Sequence, residues 1–400
     1  MNRKLILVLG LIILFAMEIG KVYFIMPFPG SQRANTINLA YFINKNIWWM
    51  RLIAIALIII PVIGVFRTGK VWGKIALSIV LILYAGIFYL VNFKFLADKI
   101  FYQPKTKVLA SLNDNKVSMG NLVVGVEFNG EAKAYPIEVI GYHHQVRDTV
   151  GGVPVMVTYC TVCRTGRVFS PEVNGANEQF RLVGMDHFNA MFEDSRTTSW
   201  WQQETGEAIA GPLKGTMLKE LPSQQMRLSA WVRKYPNTKV LQPDTVFKKA
   251  YANLEGYDKG TIDGDLEHRD SASWKFKSWV VGVPVNNSAR AYDWNDLLKY
   301  KVINDSISSA SYVVCVEPDS VSFHVWNATV GGNRLNFTWD NSTQTLKDSN
   351  TGSSWNFDGL GIAGPLKDSV LKPVKAYQEF WHSWKHFHPE TDSFSYTINK

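Results

Sequence analysis

The chain reads as three membrane-spanning helices followed by a mainly β (α+β) soluble region made of two duplicated antiparallel β-rich domains. Three observations predict this. The long apolar runs are concentrated in the first hundred or so residues, with lengths suited to a bilayer. The remainder alternates short β-branched and aromatic runs with Gly and Asn turns and carries no βαβ rhythm. Finally, several motifs of this remainder occur twice in the same order.

The apolar spans cover residues 5–28, 47–66 and 75–93, each close to the roughly 20 residues that cross a bilayer. Arg3 and Lys4 ahead of an apolar core resemble a secretory signal. No small-x-small cleavage site follows and two further spans do, so the first is expected to be retained and residues 1–100 to form an anchor. Arg3 and Lys4 precede span one, while Arg67, Lys70 and Lys74 crowd the short link between spans two and three. The positive-inside rule keeps both groups in the cytoplasm and puts everything after Phe93 on the extracytoplasmic, periplasmic side of the inner membrane. Topology accounts for much of the net charge of +8, so no nucleic-acid partner is inferred. The expected partners are the lipid bilayer and another envelope protein. Glu18 and Lys21, three apart near the outer end of span one, read as a snorkelling pair.

The repeats divide the soluble part into a first domain (102–245), a connector (246–275) and a second domain (276–400). LVVGVEFNGEAKAYP, Leu122 to Pro136, returns as WVVGVPVNNSARAYD, Trp279 to Asp293. IAGPLK stands at Ile209 to Lys214 and again at Ile362 to Lys367, and Trp231 to Thr238 matches Trp384 to Thr391. The offsets run from 153 to 157 residues, which marks a duplicated domain and not a short solenoid period. In the first copy, Asn129-Gly130 and Asn174-Gly175 predict hairpins. A helical turn is expected over 136–142, strands near 189–192 and 208–213, and a closing helix over 228–235.

Chemistry centres on PVMVTYCTVCRTGRVF, Pro154 to Phe169. A β-branched strand delivers Cys160 and Cys163, two of only three cysteines, and Thr165-Gly166 is expected to turn the chain into a second strand. Two sulfurs at this spacing can pair, share a metal, or cycle between dithiol and disulfide. No helix follows, as a thioredoxin-type site would need, and Arg164 stands where a haem-attachment motif has His. Strand, CxxC and strand is closer to a metal knuckle, though two thiolates supply half a tetrahedral set. Arg164 and Arg167 are expected to lower the thiol pKa values. A structural disulfide or two buried thiols is the bland alternative. The second copy aligns Cys315 with Cys160 and Pro318 with Cys163. It has lost the pair, so the first copy is expected to carry the chemistry and the second to support it.

Further ligands are sought in the first copy. In GMDHFNAMFED, a strand would place Met185, His187, Asn189 and Met191 on one face, giving a soft donor set with the cysteines. Core methionines and a rim histidine are the bland alternative. His144 is the second candidate; it and His143 would point oppositely on a strand, with a surface histidine as the plain reading. Trp200 and Trp201 fit a groove or, more simply, a packed core. His382 and His386, four apart on the second closing helix, have the spacing of a helical metal pair but no acidic helper between them.

Several of these blocks resemble the bacterial DUF3179 family. They are His144 with Val146 to Gly152, Pro154 to Cys163, and Ser199 to Gly211, in that order over roughly residues 120–240. The family's usual YCPLC is YCTVC here. The resemblance implies that Cys160, Cys163 and His144 occupy motif positions, and it brings no settled activity, cofactor or substrate.

Three functions follow. The leading one is a membrane-anchored extracytoplasmic protein that holds copper or zinc at Cys160, Cys163 and His187, with His144 nearby, for delivery, sensing or catalysis. The second is a thiol-disulfide oxidoreductase of the cell envelope, with Cys160 and Cys163 as its catalytic residues. The third is a non-catalytic scaffold whose CxxC is a structural disulfide.

Overall fold

The computed structural model describes residues 2–395, which divide into two compact units. Residues 2–102 and 178–217 form one, and residues 103–177 and 218–395 form the other.

The first unit holds three helices long and apolar enough to cross a membrane: Arg3–Tyr23, Ile37–Thr68 and Val71–Phe93. The second begins ten residues before the expected 47, because the polar segment ahead of it, including Asn44 and Asn46, continues the helix. The expected pairing of Glu18 with Lys21 is corrected. Glu18 is buried and accepts from Arg51 Nε at 2.6 Å and Nη2 at 2.7 Å, from Tyr84 Oη at 3.0 Å and from Asn92 Nδ2 at 3.1 Å. Lys21 instead donates to Asn92 Oδ1 at 2.6 Å. A buried carboxylate needs this full set of donors, and a single flexible lysine cannot supply it.

The same unit contains a four-stranded antiparallel sheet in the order Ala208–Ala210, Trp200–Gln202, Asn189–Asp194, Phe180–Asp186. It packs on the loop after the first helix. Met185 N–H donates to Ile25 O at 2.8 Å, and a Cβ on Gly184 would meet that oxygen at 2.1 Å. Trp200 and Trp201 are fully buried, which settles them as core residues and not as a groove.

In the second unit, Leu122–Phe128 and Glu131–Pro136 form the expected hairpin, with Asn129 at φ 52° and Gly130 at φ 82°. Its sheet runs Leu109–Ala110, Lys239–Leu241, Glu131–Pro136, Leu122–Phe128, Gln224–Arg227. Strand alternation gives this sheet two buried faces. Leu122, Val124 and Val126 join Val155, Val157 and Tyr159 in one cluster, whereas Val123, Ala134 and Val240 pack against Trp231. Helices Ile137–His143 and Leu228–Lys234 lie close to the expected positions. Residues 246–275 do more than connect, since Phe247, Tyr251 and Tyr257 are buried in the first of these clusters.

Beyond residue 275, one of several sheets runs Tyr377–Phe380, Trp279–Val285, Ser288–Asp293, Asp392–Ser393. Trp279, Val281 and Val283 face one cluster, while Val280, Ala289 and Ala291 face Trp384. Two tight contacts fix the helices Leu228–Lys234 and Trp381–Phe387 to their sheets. A Cβ on Gly125 would lie 2.4 Å from the Trp231 ring, and one on Gly282 would lie 2.3 Å from the Trp384 ring. Gly282→Ala should therefore overpack a closed core and cost about 1–3 kcal/mol. Thermal melting of the full chain checks this, and an unchanged midpoint contradicts it.

Candidate functional site

The CxxC lies on an antiparallel hairpin of Val153–Cys160 and Thr165–Phe169, with Met156 opposite Phe169 and Cys160 opposite Thr165. The turn is the motif itself, residues 161–164, and not Thr165-Gly166 as the sequence suggested. Arg164 takes the left-handed position at φ 59°, while Gly166 lies in the strand against Tyr159, where a Cβ would sit 3.3 Å from that ring. Cys160 is 1% exposed and Cys163 is fully buried, both as free thiols.

The two buried thiols are close enough to act on each other electrostatically. Burial pushes the Cys163 thiol well above its ordinary pKa, and the neighbouring Cys160 adds to that shift. Lys277 and a hydrogen bond with Ser383 pull in the other direction. Arg164 and Arg167, which the sequence set beside the thiols, are also engaged by other groups. Arg164 Nε donates to Gln378 Oε1 at 3.0 Å, and its Cζ stands 3.7 Å from the Trp279 ring centre. Arg167 pairs with the buried carboxylate of Glu379 and lies 3.3 Å over the Tyr377 ring. A cation acting on Cys163 is Lys277, whose Nζ donates to Val162 O at 2.6 Å and Leu266 O at 2.5 Å.

The segment Tyr377–Phe387 runs along the CxxC loop. Phe380 N–H donates to Cys163 O at 3.0 Å, and His382 Nε2 is 3.2 Å from Val162 O. Ser383 Oγ donates to Glu379 Oε2 at 3.1 Å. Ser383 and Glu379, the latter held by Arg167, thus form a buried hydrogen-bonded pair near Cys163. His382 is stacked 4.2 Å from Phe276, and burial, with Lys277 nearby, lowers its pKa to about 3. The imidazole is therefore neutral at ordinary pH. Sequence reasoning missed Lys277, Glu379 and Ser383, because it looked for chemistry only in the first half.

The predicted histidines are placed differently from expectation. His144 is not on a strand. It ends the helix Ile137–His143 at φ 60°, and its carbonyl accepts from Tyr159 N–H at 3.0 Å, one residue before Cys160. Burial lowers its pKa to about 4, and Nδ1 lies 3.2 Å from Tyr142 O. His143 is buried too, 2.7 Å from Tyr251 Oη, so neither is a surface loop histidine. His187 also leaves the strand. It and Phe188 form a two-residue turn, both at positive φ, and Met185 pairs with Ala190 across it. Met185, His187 and Met191 therefore do not follow one continuous strand face. His187 belongs to the unit with the membrane helices, and Nδ1 meets Asp186 Oδ2 at 2.9 Å, a contact that raises its pKa.

Among the described residues, no three His, Cys, Asp or Glu side chains are grouped so as to hold a metal ion. Cys160, Cys163 and His144 form no such group. Within this site, then, the two thiols are a pair with one neighbouring ammonium and a Ser–Glu–Arg chain.

No curated protein and no solved structure matches the chain. Residues 103–391 match the family model described as a protein of unknown function, DUF3179. That match spans more than half of the sequence and includes the hairpin, the Lys277 position and the Tyr377–Phe387 segment, so the chain belongs to the DUF3179 family.

Proposed function

We propose that this is a membrane-anchored thiol–disulfide exchange protein in which Cys160 and Cys163 form the redox couple. The observation that carries the reading is the two free, buried thiols of one tight turn, with the Lys277 ammonium bonded to Val162 O of that turn. The thiolate is the reacting species, and a nearby cation favours it. Loss of the Cys163 proton, which the partner's departing sulfur takes up, gives a thiolate balanced by Lys277 that attacks one sulfur of a partner disulfide. The partner's other sulfur leaves and is protonated. Cys160 then displaces the partner from Cys163, closing the Cys160–Cys163 bond and releasing a second thiol. Two electrons and two protons pass to the partner. Because both sulfurs are buried, exchange requires the loop and the 377–387 segment to part.

The second half takes part in this reading. We infer that the two halves are copies of one domain, since equivalent ladders pair Val123 with Pro136 and Val280 with Asp293, and Thr158 with Arg167 and Cys315 with His324. That register equates Cys315 with Thr158 and moves the sequence alignment by two residues. Glu317 then stands for Cys160 and Ser320 for Cys163. Gln225 and Gln378 are equivalent and hydrogen-bonded to each other at 3.1 Å. At the site the copies differ, with Met226 against Glu379 and Ala230 against Ser383. The second copy has diverged to serve the first copy's cysteines. The basic residues between the second and third helices support an extracytoplasmic side for the part that follows them, and disulfide chemistry belongs to that side.

The test is a thiol count of the full chain after equilibration in glutathione redox buffers and acid quenching. The pair should pass from two free thiols to none in one two-electron step, while Cys315 stays free. A pair that stays reduced throughout, with stoichiometric copper or zinc in the purified protein, supports metal holding with ligands from outside this group. A permanently closed bond whose loss affects stability alone supports a scaffold.

A further inference from the structure

The CxxC turn is tied to a further element of the second unit, the short turn Tyr257–Lys259. Tyr257 is 1% exposed, and its Oη donates to Thr161 O at 2.9 Å. Its own carbonyl accepts from Arg164 Nη1 at 3.4 Å. Gly256 at φ 84° and Gly260 at φ 68° flank the turn. Glycine takes this left-handed conformation without strain, so the turn has a hinge position at each end.

Two carboxyl groups meet at this turn. Asp258 Oδ2 accepts from Leu122 N–H at 2.7 Å. Its Oδ1 is buried and meets no donor, in a residue only 8% exposed. Glu138, half-buried on the first turn of the helix Ile137–His143, accepts from Asn121 Nδ2 at 2.8 Å and repels Asp258. A buried acceptor without a donor is costly, and so are two like charges in one poorly solvated place. Other charges face the pair as well. Arg164, Arg227 and Lys259 favour the ionised form of Asp258, and Lys259 favours that of Glu138, whereas Glu255 opposes it. Burial outweighs the cations and raises Asp258 to a pKa of about 6 and Glu138 to about 7.

We propose that Glu138 and Asp258 share one proton and form a pH-sensitive clasp on the CxxC turn. The shared proton supplies the donor that Asp258 Oδ1 lacks and removes one charge. Its loss drives the two carboxylates apart, swings the turn between its glycines and, through Tyr257 Oη, loosens the cover on the cysteines. In this way the clasp regulates the thiol pair, and its purpose rests on the thiol reading. Both groups ionise less readily in the closed clasp than in solvated chain, where carboxyl pKa values are about 4. The clasp is therefore fully held in acid below that range. Its hold weakens as pH rises from about 4 to about 7 and changes no further above.

The test is hydrogen exchange of the full chain in lipid nanodiscs at about pH 5 and about pH 7.5, on either side of the raised pKa values. Mass spectrometry reads the rates, each corrected for the base catalysis of exchange itself. In the parent, residues 255–262 and the CxxC turn should both exchange about tenfold or more faster at the higher pH, the scale of one proton lost over one pH unit. Glu138→Gln keeps an acceptor for Asn121 and carries no titrating group, so it should exchange slowly at both pH values. Asp258→Asn should match it, and if that variant does not fold, Glu138→Gln decides alone. Equal corrected rates at the two pH values in the parent, or an undiminished pH response in Glu138→Gln, overturns the proposal. Failure of the thiol reading shows separately, as a parent whose clasp titrates while Cys163 captures no disulfide.

Discussion

Glu379→Ala is expected to destabilise the full chain by about 3–5 kcal/mol, because it leaves the Arg167 guanidinium buried without its counter-charge. Arg167 is 1% exposed and Glu379 fully buried, so water cannot replace the lost partner. The loss also frees Ser383 Oγ, which donates to the same carboxylate at 3.1 Å. Burial of the pair is not itself evidence of net stabilisation, since replacing both partners with apolar groups of similar shape is often neutral. Arg167→Met combined with Glu379→Leu should therefore recover much of the stability and still lack the Ser383–Glu379 hydrogen bond. Thermal melting in nanodiscs measures the first effect. An alanine variant that melts with the parent contradicts the buried-pair account.

Lys277→Met is expected to have the largest effect on reactivity without removing a sulfur. Lys277 is a cation that opposes the upward push of burial on Cys163, so its loss raises that thiol's pKa further. At any pH below the thiol pKa, the thiolate fraction falls about tenfold for each unit of that rise. The profile of Cys163 alkylation against pH, measured in a Cys160→Ser, Cys315→Ser background, should move to higher pH, with slower reaction near neutrality. Lys277→Arg should restore part of the rate, because charge is kept even though the donor geometry towards Val162 O and Leu266 O changes. A profile that Lys277→Met does not move would remove the ammonium from the mechanism.

Legibility in the sequence followed the range of the interactions. Asn129-Gly130 announces its hairpin because both residues must adopt positive φ, and the β-branched run before Cys160 announces its strand. The turn after Cys160 was misplaced because Gly166 looked like a turn residue, whereas its lack of a side chain serves close packing on Tyr159. His187 and Phe188 reverse the chain without Gly or Asn, so a period of two ran straight through them. Glu18 finds Arg51 33 residues away on another helix, beyond any local pattern.

The site itself was half visible. Cys160 and Cys163 could be read from spacing, but their neighbours Lys277, Glu379 and Ser383 come from more than a hundred residues further on. A signal for them did exist. Matching Trp231 with Trp384 sets Ala230 against Ser383 and Met226 against Glu379, which are polar gains at positions where a mere scaffold needs none. If the halves are copies, as proposed above, these polar groups argue against a passive second half.

The most direct test of the central claim is capture of the exchange intermediate. The full chain with Cys160→Ser, which keeps Cys163 and removes the resolving sulfur, is mixed with a peptide containing one disulfide, quenched in acid and mapped by mass spectrometry. The account predicts a stable mixed disulfide on Cys163 that is absent when Cys163→Ser is added and is released as free peptide thiol by the unsubstituted protein. No adduct on Cys163, or equal capture by Cys315 alone, would contradict it.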